Sequence, residues 1–590
     1  MSPVVKFMFE CVWPESNASQ PEVLAFKLVL PSRPGFLAET DFLSRRLAGC
    51  GLINSLKTFG VAGQELCYIP ISDDVDKEVE NVLKLMDSAI CLMSLNHYPS
   101  RSPLYALESL EMALINRLCF PWILKQPSKR YRIALVEARH LSGGRDVPPK
   151  LFLSAVNLGI SLVVLDREGH EVQNCPNLYD KFLPIDMTLD DALPSRIATA
   201  LQHPDYRVDG ITSFTDRYLV ATARAAKILG LPIIMQSESL SLSTDKYIMR
   251  QLSTESEYTS LLVSGPEELE QTMGAFTDPV GFPLVVKPSH GKNSEGVSKV
   301  ANSRELFHSV ARLARTESAV GSKIVIEPYI SGPEIDANYV LLDGEILFSE
   351  IGDDFPSAGD SDTADFTADF HESAMLYPSG LPQKECDLMR KSLYDLLLKA
   401  GFRTGIFHVE ARIRNSEMEY QLSSDGLMDL VKIVAPGKIY QKTRPFLLEI
   451  NARAPGQMLT WGAEFTYGID YFSLQLLAAV MDRERLRALS RPFLHGAQSW
   501  TSVVFVPTKG LGIFDGDDVF QDLHRRHPEL MAQVSHHRCM FRRGDSILPL
   551  SDGSWPWVAW FVAFSRINRY HVVKLGHMIK DRLHYNVIER

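Results

Sequence analysis

The chain has 590 residues, 45% of them hydrophobic, and a formal net charge of −11. That length exceeds one hydrophobic core and predicts roughly three to five domains of an ordinary soluble globular class. The acidic balance argues against nucleic acid or an anionic membrane as partner.

The start, Met1 to Lys6, lacks a basic segment followed by a long apolar run, so no secretory signal is expected. Residues 1–127 mix strand and helix patterns. Phe26–Leu30 predicts a strand that Pro31–Gly35 breaks, and the spacing of Val79, Val82, Leu83 and Met86 predicts a helix over 76–90. This region carries no chemical motif and reads as a small α/β module of structural or dimerising use. Eight scattered cysteines form no CxxC pair, which fits buried thiols in a reducing, cytoplasmic compartment better than disulfides or zinc.

From about 128 to 238 strands and helices alternate. Arg132–Val136, Ser161–Asp166 and Gly210–Phe214 predict strands; Lys150–Leu158 and Thr215–Leu229 predict helices. Repeated βα units imply a Rossmann-like parallel sheet with a crevice at its carboxyl edge, where the Ala138–Pro148 loop is a candidate substrate wall.

Residues 239–495 hold the chemistry. Thr244–Arg250 opens a helix carrying Lys246. The strand Leu284–Val286 delivers Lys287 into a Gly/Ser-rich loop. A strand-end lysine can reach phosphates as a point charge, Gly291 and Gly296 let backbone amides approach an anion, and Ser294 adds a hydroxyl. Taken alone, a surface hairpin with an incidental lysine is the alternative, and the Walker A spacing is absent. Next, Ile324–Ile326 runs into the hinge Glu327-Pro328-Tyr329-Ile330-Ser331-Gly332-Pro333-Glu334. Its backbone, with Glu327 beside it, can read an adenine edge, and Glu334 can accept from ribose hydroxyls; a plain strand–turn–strand is the alternative. Gly352–Ser373 is acidic and aperiodic, a loop suited to a flap. Lys384–Lys399 predicts an amphipathic helix. In the strand Gly405–Arg412, His408, Glu410 and Arg412 share one face. They are either solvated or, with Glu410 as a metal ligand, functional; His408 reads as a packing histidine. After an unpatterned insertion over 415–445 comes Phe446–Arg453. Period two puts Glu449 and Asn451 on one face and sends Leu448 and Ile450 into a core. A carboxylate beside an amide oxygen suits magnesium, and Arg453 stands one step further, placed for an anion. With the Lys287 loop, this suggests a protein that holds ATP and magnesium. Gly468–Met481 predicts a further helix. Residues 496–590 read as β-rich, with a buried strand over Trp555–Phe564 too short to span a bilayer, a surface pair His536-His537, and a closing helix over Tyr570–Arg582.

The order and spacing of Asp245-Lys246, Val286-Lys287, the Glu327–Glu334 hinge, His408-Val409-Glu410 and Glu449-Ile450-Asn451-Ala452-Arg453 resemble the ATP-grasp superfamily over roughly residues 130–495. The wording around Glu410 and Glu449 is most similar to carnosine-synthase-like and L-amino-acid ligases. The resemblance implies a mixed α/β fold: an N-terminal α/β module (1–127), a Rossmann-like pre-ATP-grasp domain (128–238), a two-lobed ATP-grasp domain (239–495) and a β-rich C-terminal domain (496–590). It implies that Lys246 and Lys287 contact phosphates beside the Ser294–Gly296 loop. Glu327 and the Ile330 backbone would hold adenine, and Glu334 ribose. Glu410, Glu449 and Asn451 would bind Mg2+, with Mn2+ as the alternative ion, and Arg453 would steady the transferring phosphate or a substrate carboxylate. The implied activity is ADP-forming ligation of a small-molecule carboxylic acid to an amine, amino acids being the default, through an acyl phosphate. Neither nucleic acid nor membrane is a partner in this reading, and a homodimer stays open. The alternatives are a biotin-carboxylase-like or purine-pathway ligase, or a nucleotide-binding pseudoenzyme acting as scaffold.

Overall fold

Apolar runs of branched and aromatic residues build four main sheets, and the two that carry the site face each other across a cleft. The computed structural model describes residues 3–12, 25–69, 78–96, 103–139, 149–252, 260–275, 281–291, 294–315, 323–433, 442–549 and 555–588. Parts of the expected loop over 138–148, helix over 76–90 and insertion over 415–445 lie outside those residues, as do Lys292 and Asn293.

The architecture is mixed α/β, as expected. Near the N-terminus, Phe26–Val29, Cys91–Leu95 and Ile53–Thr58 form an antiparallel sheet. The expected βα alternation gives a four-stranded parallel sheet in the order Gly210–Thr212, Arg132–Val136, Ser161–Asp166, Lys181–Pro184. The helices Lys150–Leu158 and Asp216–Leu229 each end on a glycine in the left-handed region, Gly159 (φ 68°) and Gly230 (φ 66°), a conformation that costs glycine little. Next is an antiparallel sheet in the order Leu261–Val263, Ile324–Pro328, Leu284–Pro288, Ser298–Val300. Its inward residues Val286, Ile326 and Val300 pack with Leu306 and Val310 of the helix Ser303–Leu313 as a separate small core.

The largest sheet has eight strands: Arg444–Asn451, Gly405–Arg414, Glu334–Leu342, Glu345–Asp354, Ala374–Tyr377, Trp500–Pro507, Trp557–Ser565 and Val534–Cys539. The strands after residue 496 therefore continue the sheet that bears the carboxylates. The helix Gln383–Lys399 buries Met389, Leu393 and Leu397 against one face. On the other, Tyr471–Ala479 is buried on every side, and Gln457–Tyr467, a helix the sequence pattern did not predict, precedes it. His536, expected on the surface, stacks on Trp461 at 3.9 Å between ring centroids.

Two ionic clusters join these parts. Arg45 and the fully buried Lys150 both reach Glu464, at 2.7 and 2.6 Å, which fixes the N-terminal module to the helix after Arg453. Arg569 of the closing helix Arg569–Lys580 reaches Asp353 at 2.5 Å and, at 2.8 Å, Asp429 of the strand Met428–Lys432, which pairs with Met418–Leu422 as a hairpin within the 415–445 insertion. Asp353 and Asp354 were expected in the acidic loop; both instead end a ten-residue strand, and Asp353 is fully buried. Among the described residues no helix is long and apolar enough to cross a membrane.

Candidate active site

The small sheet and the eight-stranded sheet enclose a cleft of about 650 Å³. Lys246, Lys287, Ser294, Glu327, Ile330, Glu334, Glu410 and Glu449 all line it. Gly296, Asn451 and Arg453 do not line it.

Lys287 occupies the strand position opposite the apolar Val325, and its side chain is 7% exposed. Its charge is met by Glu327, Nζ to Oε1 2.5 Å, and the same carboxylate accepts from Arg250 Nε at 3.0 Å. Burial alone would push Glu327 up, yet Lys287 and Arg250 hold its carboxyl at about 2. Burial pulls the Lys287 amine below its ordinary value, with Glu327 opposing that fall. Arg250 also lies over the Phe446 ring at 3.9 Å. The Glu327 side chain is thus occupied by two cations, and only its backbone is left for a base.

Lys246 begins the helix Lys246–Arg250. Asp245 caps it by accepting from the Tyr247 and Ile248 amides at 2.9 and 3.0 Å. The Lys246 amide donates to the Ser289 carbonyl at 3.0 Å, which ties the helix to the loop after Lys287. The amine reaches across to Glu449 Oε1 at 3.0 Å. Burial lowers its proton affinity, and Glu449, with Glu410 and Asp216, more than restores it. In that loop Ser294 adopts a left-handed φ of 53°. A side chain at Gly296 would meet Leu313 Cδ2 at 2.6 Å, so glycine there serves close packing as well as backbone freedom.

Glu410 and Glu449 are directly opposed on neighbouring strands. A bulge follows immediately: Glu410 pairs with Glu449 but Ala411 pairs with Leu447, leaving Leu448 without an opposite residue. This corrects the period-two expectation. Leu447 and Ile450 are in the core, whereas Leu448 is half-buried and lines the cleft beside Glu449. Asn451, 5% exposed, donates from Nδ2 to Glu410 Oε1 at 3.1 Å and accepts at Oδ1 from Arg453 Nη2 at 3.1 Å. Arg453 donates from Nε to Asp216 at 2.7 Å, joining this strand end to the helix after the parallel sheet.

The donor set fits a magnesium ion. Burial, then the charge of Glu449, pushes Glu410 well above the ordinary carboxyl range, a repulsion that a divalent cation between the two would remove. Among the described residues no group of three or more His, Cys, Asp and Glu has the arrangement of a metal site. Two carboxylates and an amide are a small set, but magnesium keeps much of its water and takes few protein ligands.

The hinge and the flap meet at Arg412. It donates to Glu334 at 2.7 Å, to the Ile330 carbonyl at 3.0 Å and to Asp360 at 2.5 Å. Tyr329 Oη also donates to Asp360, at 3.0 Å, and Lys299 donates to the Ser361 carbonyl at 3.3 Å. Glu334 therefore has a cation partner at the position expected to meet a ribose. Asp360→Asn is expected to release the flap: cleavage within 355–372 of the nucleotide-free protein should quicken about tenfold, since a hydrogen bond to a charged group contributes roughly 1.5–3 kcal/mol. Unchanged cleavage in limited proteolysis would show that Arg412 does not hold the segment.

Sequence reasoning missed Arg250, Asp336, Asp360 and Glu372. Two had a signal. Arg250 is four residues after Lys246 on one helix face, and Asp336 is two after Glu334 on one strand face.

Residues 152–233 match the model of the ATP-grasp N-terminal domain, and residues 280–422 that of the ATP-grasp domain. Over 581 residues the chain is 33% identical to the ATP-grasp enzyme fsqD of Aspergillus fumigatus, covering 96% of this chain and 98% of that protein. Over 337 residues it is 25% identical to carnosine synthase 1 of Homo sapiens, covering 53% of this chain and 36% of that protein. The crystal structure of L-amino acid ligase from Bacillus licheniformis superposes with a TM-score of 0.57 and 19% identity, over 78% of this chain and 100% of that one, a likeness of fold.

Proposed function

This chain belongs to the ATP-grasp enzymes, and from that premise we propose that it joins a carboxylic acid to an amine, releasing ADP and phosphate. The observation that carries the reading is the convergence on one cleft of two buried lysines, Lys246 and Lys287, with the opposed carboxylates Glu410 and Glu449. Amino acids are the proposed substrates. The partial likeness to carnosine synthase 1 supports that choice.

In the proposed reaction the substrate carboxylate oxygen attacks the γ-phosphorus of ATP, the bond to the β-phosphate oxygen breaks, and ADP leaves. The amine then attacks the acyl carbon; the C–N bond forms, phosphate departs with the C–O bonding pair, and the nitrogen loses its proton. The protein's part is alignment and charge placement. Lys287, fixed by Glu327, and Lys246, fixed by the helix cap at Asp245, are held for phosphate oxygens. The hinge backbone at Glu327 and Ile330 is held for adenine, and Arg453, braced by Asp216, for an anionic oxygen. Magnesium, or manganese in its place, would lie at Glu410, Glu449 and Asn451 and supply positive charge against the phosphates. An acyl phosphate is lost to water unless the site is closed, and the flap pinned by Arg412 supplies such a cover. Residues 128–238 and 239–495 are the proposed pre-ATP-grasp and ATP-grasp domains, in a cytoplasmic protein.

The test is a matrix of carboxylic acids against amines, scored for magnesium-dependent ADP and phosphate release. Release that needs one acid and one amine together is expected. Release of AMP and pyrophosphate, or none with any pair, contradicts the reading.

A further inference from the structure

One face of the eight-stranded sheet carries acids in successive rows. Asp336 stands between Glu410 and Gly352 on the flanking strands. One row nearer the hinge, Glu334 stands between Arg412 and Asp354; one row deeper, Asn338 stands between His408 and Glu350. A side chain at Gly352 would come within 2.5 Å of the Tyr377 ring, so that ring fills the gap beside Asp336. Burial first, then the charges of Glu350 and Asp336, push the Tyr377 hydroxyl well above the ordinary phenol range. Glu372 and Asp354 line the cleft, so the row opens into the site.

Four buried atoms in this row have no hydrogen-bond partner among the described residues: Asp336 Oδ1, Glu350 Oε2, Asp354 Oδ1 and Tyr377 Oη. Asp336 and Glu350 are 3% exposed and Tyr377 is fully buried. Nearby cations are engaged elsewhere: Arg412 by Glu334 and Asp360, Lys246 by Glu449, Arg453 by Asp216. ATP with one magnesium ion still carries net negative charge, so it brings no cation to these acids. Carboxylate oxygens only accept, and buried acceptors are costly without donors. An ammonium group offers three donors, one positive charge and no acceptor.

We propose that Asp336, Asp354 and Glu372, with the Tyr377 hydroxyl beneath them, receive the ammonium group of the acid being activated, so that the enzyme selects acids that carry a protonated amine. This rests on the ligase reading above and names the feature of the acid that the site recognises. Asp336, Asp354 and Glu372 are then specificity residues.

The test pairs alanine and β-alanine with propionate, and phenylalanine with 3-phenylpropionate. Each acid is assayed for ADP release and for its shift of melting temperature in the presence of a non-hydrolysable ATP analogue and magnesium. The full chain is expected to favour the amino acid by about 10⁴-fold in kcat/KM, the discrimination of a site built to bond a substrate N–H. Glu372→Gln, at the half-buried member, and Asp336→Asn should each cut kcat/KM for the amino acid about 100-fold and narrow that preference, with the KM for ATP within about twofold. Equal use of amino acid and des-amino acid overturns the proposal. So does an equal loss on both with fewer manganese ions bound, which would make the row a further divalent site. If no acid drives ADP release the ligase reading fails, and the melting shifts still decide: a shift by amino acids alone supports the ammonium pocket, and no difference within each pair ends it.

Discussion

Glu449→Gln should lower magnesium-dependent ADP release by roughly 10³-fold without unfolding the protein. Glu449 faces Glu410 across the strand pair and takes the Lys246 amine at 3.0 Å, so one substitution removes a metal-ligand charge and the anchor of a phosphate-side lysine. A loss of about 4 kcal/mol in the transition state corresponds to about three decades of rate. Stability should move little, because relief of the Glu410–Glu449 repulsion, seen in the upward push on the Glu410 carboxyl, offsets the loss of the Lys246–Glu449 ion pair. A melting curve and an ADP-release assay on the same preparation check both halves. Near-normal turnover would remove Glu449 from the site. Collapse of the fold would show that the carboxylate pair is structural.

Glu327→Gln should have the opposite profile, a large loss of stability. Its carboxylate, 2% exposed, is the shared counter-charge of Lys287 and Arg250, and the amide would leave two buried cations facing each other. Breaking a buried ion pair at one partner costs about 3–5 kcal/mol. The pH dependence follows from the same contacts. The carboxyl is held at about 2 in the fold against 4.5 for an unperturbed glutamate. It therefore contributes roughly 3 kcal/mol, fully present above pH 4.5 and lost as pH falls from there toward 2. Denaturant unfolding of the wild type between pH 7 and 3 should show that acid-side loss, and Glu327→Gln should lack it. Equal slopes in the two proteins would show that the Lys287–Glu327–Arg250 cluster does not govern acid stability. The phosphates of ATP add negative charge beside Lys287, so saturating nucleotide should restore part of the variant's stability.

The residues that line the cleft were legible because strands write their faces in alternate positions. His408, Glu410 and Arg412 share one strand face as expected, and Lys287 stands one residue before its strand ends at Pro288. The parallel sheet was legible for a like reason: Ile133–Val136 and Leu162–Leu165 are unbroken apolar runs of the kind a sheet covered on both faces buries. Leu448 was misread because a bulge adds a residue to one strand without a sequence mark, which turns its side chain into the cleft. The role of Asp353 was hidden because its partner Arg569 lies 216 residues away, and no local pattern encodes a long-range ion pair. The helix Gln457–Tyr467 was missed because it is buried over most of its surface and lacks the apolar-polar alternation of a surface helix. The acid row escaped for a similar reason: the register of separate strands sets Asp336 and Asp354 in neighbouring rows, and Glu372, from the segment before Ala374–Tyr377, lines the same cleft as Asp354.

The central claim is that ATP activates a carboxylate here by phosphorylating it. The direct measurement is turnover with the acid labelled with oxygen-18 in its carboxyl group, followed by mass spectrometry of the products. One labelled oxygen in the released phosphate, with ADP as the nucleotide product, is the predicted result. Label in AMP, or phosphate free of label while amide forms, would contradict it.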